Sequence, residues 1–143
     1  MPREPFLHLT RVLPAAPEAV FEAWIDPTGM RSWFCPGEGI THADVELDAK
    51  LGGKWRIAMH GENLYVQEGE YLEFDPPRKL VMSWRSSMLE QAESTVTVTL
   101  APHGDGETEL TLTHEGFNTG ETRDGYRGGW DYIFGKLVQH LTD

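Results

Sequence analysis

The stretch Tyr126-Arg127-Gly128-Gly129-Trp130-Asp131-Tyr132-Ile133-Phe134-Gly135-Lys136-Leu137-Val138-Gln139-His140-Leu141 repeats its large apolar residues at helical spacing. Tyr126, Trp130, Phe134, Leu137 and Leu141 share one side, and Ile133 and Val138 widen the stripe. A helix this apolar must be covered, and the long run of residues before it reads mostly as strands. That order predicts one long helix, starting between Thr119 and Arg127, laid over one curved sheet. Gly135 inside the helix costs about 1 kcal/mol relative to alanine, which predicts a close approach of the sheet or of a ligand there.

Upstream, Leu7, Leu9, Arg11 and Leu13 alternate with Phe6, His8, Thr10 and Val12 and stop at Pro14, a first strand. Pro17 suits the first position of a helix and Glu18 its first turn. Val20, Phe21, Trp24 and Ile25 form its apolar face, and Asp26-Pro27 ends it. A second short helical piece carries Met30, Trp33 and Phe34 before Cys35-Pro36-Gly37 breaks it. A meander follows. Ala43, Val45 and Leu47 make one inward set, and Gly52-Gly53 turns the chain into Trp55, Ile57 and Met59. Leu64 to Phe74 is a strand whose alternation is disturbed at Gly69, where a bulge is expected, and Asp75-Pro76-Pro77 ends it. Leu80, Met82 and Trp84, then Val96, Val98 and Leu100, then Leu110, Leu112 and His114 complete the inward sets. Such alternation marks an antiparallel sheet with one covered face and one wet face.

The 143 residues suit a single domain spanning 1–143. Twelve basic against twenty-three acidic residues give a formal charge of −11, a field that repels phosphate backbones and anionic lipid, so no nucleic-acid or membrane partner is expected. No apolar run reaches a membrane-spanning length, and Met1 to Leu13 lacks the apolar core of a signal peptide. Cys35 has no second cysteine to pair with, which agrees with a cytoplasmic location. The histidines at 8, 42, 60, 103, 114 and 140 are scattered without a paired ligand spacing, so no metal is expected. No glycine-rich phosphate loop precedes a helix, and no cofactor is expected.

The candidate site residues are those whose side chains face the space between sheet and helix. Trp33, Trp55 and Trp84 are the first choices as pocket lining, with Trp130, Phe134 and Tyr126 from the helix; core packing accounts for the same aromatics, Trp24 included. Met59, Met82 and Met88 suit a flexible apolar ligand or an ordinary gap, and Met88 also suits a loop. His114, at the end of its inward set, is placed to orient a polar ligand group or exchange a proton; a histidine hydrogen-bonded to a neighbour at the strand end is the more ordinary reading. Inward-facing Glu68 or Glu70 would set a carboxylate beside that imidazole.

Several local motifs carry a resemblance. Ala16-Pro17-Glu18-Ala19-Val20-Phe21-Glu22-Ala23-Trp24 through Asp26-Pro27, then Trp33-Phe34, Gly52-Gly53-Lys54-Trp55, Pro76-Pro77-Arg78-Lys79-Leu80-Val81 with Trp84, and Gly129-Trp130 follow in an order that spans essentially the whole chain. Together they resemble the START-like, or SRPBCC, superfamily, in the branch named for the activator of the heat shock protein 90 ATPase. The resemblance implies an α+β helix-grip fold. Within it, the expected function is binding of a hydrophobic or amphipathic small molecule in a cavity between sheet and long helix, without covalent chemistry. The alternatives are a cyclase, dehydratase or hydrolase using the same cavity, and a co-chaperone-like regulator of the heat shock protein 90 ATPase. The named co-chaperone carries an additional amino-terminal domain, which favours the small-molecule reading for a single domain.

Overall fold

The structure is a computed structural model that describes residues 2–34, 39–86 and 93–142; Cys35 and Met88 lie outside the described residues. The chain runs β1 (Phe6–Leu13), α1 (Pro17–Ile25), α2 (Pro27–Trp33), β2 (Ile40–Leu47), β3 (Lys54–Gly61), β4 (Leu64–Asp75), β5 (Lys79–Ser86), β6 (Ser94–Pro102), β7 (Thr108–Glu115) and α3 (Gly120–Thr142). Pro17 opens α1 at its first turn, and Asp26 divides α1 from α2. The Asp26 carboxylate accepts the Thr28 N–H at 3.1 Å, so one residue ends one helix and caps the next. Thr119 caps α3 the same way, accepting the Thr122 N–H at 3.1 Å.

Among the described residues the strands form one antiparallel sheet in the order β1-β7-β6-β5-β4-β3-β2. From β2 to β7 it is a meander, and β1 closes it beside β7, so α1 and α2 carry the chain from one edge to the other. The sheet curls into a half-barrel around α3, the expected α+β helix-grip architecture. Trp130, Ile133, Phe134 and Leu137 of α3 are buried against it. Arg11, inward on edge strand β1, bonds Asp131 of α3, and its guanidinium carbon lies 6.0 Å from the Phe134 ring centroid.

Two local expectations are corrected. Pairing of β4 with β5 slips between Tyr71 and Glu73, not at Gly69. Gly69 is instead a point of close approach: a Cβ there would lie 1.8 Å from the Ser83 carbonyl oxygen. Gly135 is exposed and an added Cβ would meet nothing within 4 Å, so neither sheet nor ligand demands a glycine at that position.

Candidate functional site

The inward faces of β3 to β7 and the apolar face of α3 meet in one aromatic core. Trp33, Trp55, Met59, Met82, Trp84, Trp130 and Phe134 all belong to it, and Tyr126 packs at its margin. Trp130 touches rings on several sides: Trp24 at 6.1 Å, Phe34 at 5.8 Å, Trp84 at 5.4 Å and Phe134 at 6.0 Å between centroids. Trp55 stacks obliquely on Trp84 at 4.5 Å, and Trp33 meets Trp24 edge-on at 5.1 Å. The sequence-derived candidates are thus brought together, in contact with one another.

His114, fully buried, is the centre of one half of the core's buried polar groups. Trp130 Nε1 donates to its Nδ1 at 3.2 Å, so Nδ1 is the unprotonated nitrogen. Nε2 then carries the proton and donates to Ser94 Oγ at 2.8 Å, and Ser94 passes its own proton to the Trp84 carbonyl at 3.0 Å. Burial pushes the imidazole down to about 3, so it is neutral at physiological pH. Trp84 Nε1 donates to the Gln67 side-chain oxygen, and the Tyr126 hydroxyl approaches the same oxygen at 3.4 Å. Burial raises the Tyr126 phenol, with hydrogen bonding to Ser86 and Trp84 opposing. His114 is therefore a saturated structural hub. The proton exchange envisaged for it near neutral pH has no free nitrogen to use.

The other half differs. Trp24, Trp33, Trp55 and Tyr71 are each at most 1% exposed, yet among the described residues the three indole N–H groups and the phenol hydroxyl have no hydrogen-bond partner. Burial, with the Asp48 carboxylate adding to it, holds the Tyr71 phenol far above its ordinary range, so it stays a protonated donor.

Sequence reasoning missed Gln67, Ser94 and Tyr71. Ser94 continues the inward set Val96, Val98 and Leu100 by one step, a signal that was available. In β4 the inward parity is Gln67, Gly69, Tyr71, so Glu68 and Glu70 face out, correcting the carboxylate and imidazole pair. Glu68 instead pairs with Arg85 at 3.3 Å and Arg56 at 4.0 Å. A surface recess of about 250 Å³ lies between those charges, bordered by Glu46, Lys54, Arg56, Glu68 and Arg85, and of the aromatic candidates it touches Trp55. The scattered histidines also change character: the fold gathers His42 and His60 with Asp44.

A curled antiparallel sheet gripping a long C-terminal helix, filled from both sides by aromatic side chains, defines a helix-grip domain of the SRPBCC type. The sequence profile described as "Activator of Hsp90 ATPase homolog 1-like protein" matches residues 14–142, and the chain belongs to that family. It is 32% identical over 104 residues to the human "Activator of 90 kDa heat shock protein ATPase homolog 1", an alignment covering 71% of this chain but only 29% of that protein. Among solved structures, a Chromobacterium violaceum protein superposes with a TM-score of 0.83 at 26% identity, covering 96% of this chain and 98% of its own. The AHSA1 protein of Silicibacter pomeroyi gives 0.76 at 25% identity, covering 96% and 97%. Among the described residues no helix is long and apolar enough to cross a membrane.

Proposed function

We propose that the domain binds an apolar or amphipathic small molecule bearing hydrogen-bond acceptors, between the sheet and α3 and against the Trp24, Trp33, Trp55 and Tyr71 side. One observation carries this reading: four buried donors without an acceptor among the described residues. Each such group costs about 1–3 kcal/mol when left unpaired, and a carbonyl or ether oxygen brought by a ligand recovers that cost. The ligand's apolar body adds about 25 cal/mol for each Å² it removes from water. Met59 and Met82, buried in the same core, give an adaptable wall that can repack around it. No covalent step is proposed, because the best acid–base candidate, His114, is held neutral between Trp130 and Ser94.

The test is native mass spectrometry of freshly purified protein against its denatured mass, followed by titration of tryptophan fluorescence with lipids and small aromatic molecules. The expected result is a stoichiometric adduct, displaced by the titrant. Trp33→Phe, which keeps a ring and removes the N–H, should weaken binding about tenfold. Met82→Trp should fill the space and abolish binding in a folded protein. A chain that stays bare through the whole library overturns the reading.

Family membership and the likeness to the human activator support a second reading, regulation of a heat shock protein 90 ATPase through the acidic outer face. Its test is ATP turnover by that chaperone with and without this chain. Stimulation lost in a Glu68→Lys, Glu70→Lys variant, whatever occupies the core, would support it.

A further inference from the structure

We propose that the outer face of the β2–β3 edge binds a late first-row divalent cation through His42, Asp44 and His60. One ligand atom from each lies within 4.8 Å of the others. His42 and His60 are direct cross-strand partners, and their rings stack with centroids 4.2 Å apart and planes 4° from parallel. Asp44, two residues further along β2 and so on the same face, brings its Oδ2 to 2.9 Å from His60 Nε2. Two imidazoles and one carboxylate suit zinc, nickel or copper(II) and not magnesium or calcium, which take oxygen shells. Around tetrahedral zinc, donors at about 2.0–2.2 Å stand about 3.4 Å apart, so the Asp44–His60 pair opens by about 0.5 Å and the wider separations close by at most about 1.4 Å.

Thr41 prepares one ligand. Its hydroxyl lies 2.8 Å from the His60 carbonyl, which can only accept, so the hydroxyl proton is committed there. The same oxygen is 3.2 Å from His42 Nδ1 and must accept from it. This fixes the tautomer of the neutral His42 ring, with the proton on Nδ1 and the Nε2 lone pair open to a metal. The pairing irregularity between Ile40 and His42 falls at Thr41 itself. With side chains 35% and 62% exposed, His60 and Asp44 admit an ion from solvent without moving the core. Three protein ligands leave coordination positions for water or an external donor. The site lies outside the sheet and is independent of any ligand held inside it.

The experiment is calorimetric titration of chelator-treated protein with Zn²⁺ alone, alongside wild-type NMR of the histidine ring protons. One ion per chain is expected, with the shifts confined to His42 and His60. His42→Ala or His60→Ala should lower affinity at least about 100-fold and Thr41→Val about tenfold, with unchanged circular dichroism. Cys35→Ser should leave the titration unchanged. The proposal is overturned by the absence of saturable binding, by binding that survives in the His42→Ala, His60→Ala double variant, or by ring shifts at other histidines.

Discussion

The buried polar groups of the core fall into two halves, equally dry and oppositely furnished, that interleave in space: Trp55 lies against Trp84 and Trp24 against Trp130. Around His114, an indole, an imidazole, a hydroxyl and a carbonyl form an unbroken donor-to-acceptor chain through Trp130, Ser94 and Trp84, with Gln67 receiving the Trp84 N–H. On Trp24, Trp33, Trp55 and Tyr71, donors of the same kinds have no acceptor among the described residues. Burial and aromatic content do not distinguish the halves; completeness of hydrogen bonding does. A saturated half pins strands and helix in one arrangement, whereas an unsaturated half favours any arrangement, or any guest, that supplies acceptors.

The largest effect should come from breaking the saturated half. His114→Ala leaves a cavity, an unpaired Trp130 N–H and an unfilled acceptor on Ser94, and should cost about 3 kcal/mol in urea denaturation. Acid should attack the same point. Because the folded imidazole is pushed down to about 3 from an unfolded value of 6.5, its contribution is fully present above pH 6.5 and is lost as pH falls from there toward 3. At pH 5 the loss should be about 2 kcal/mol relative to pH 7, and the slope should flatten in the His114→Ala protein.

A matched pair sharpens the contrast. Trp84→Phe removes a donor that Gln67 needs and should cost about 1–2 kcal/mol, whereas Trp33→Phe removes a donor that nothing needs and should cost less than about 1 kcal/mol in ligand-free protein. Equal costs at the two positions would erase the distinction between the halves. The smallest effect serves as a control on the helix that spans both: Gly135→Ala, on an exposed turn with open space for the methyl, should stabilise by about 1 kcal/mol, read as a raised Tm.

The α+β helix-grip class was implied by the resemblance that the ordered motifs carry, while element order and inward faces were legible because they rest on local period. Phe6–Leu13 and Thr108–Glu115 show it at two residues, and Tyr126 to Leu141 shows it at helical spacing. Membership of the aromatic core was legible for the same reason. The exceptions sit where period fails. In β4 the pairing slip after Tyr71 and the missing side chain at Gly69 blur the alternation, so Glu68 and Gln67 exchange faces in a sequence reading. Gly135 misled because a glycine in a helix has two origins, close packing or mere tolerance, and only the neighbouring atoms tell them apart.

Outside β4, the sequence by itself therefore determined most of the residues that face inward and the elements that carry them, since each depends on residues a few places apart. Which buried donors find acceptors was decided by tertiary structure, as was the meeting of His42 and Asp44 with His60. Those outcomes depend on how separate elements pack and on the register in which strands pair, where a shift of one residue turns every side chain to the opposite face.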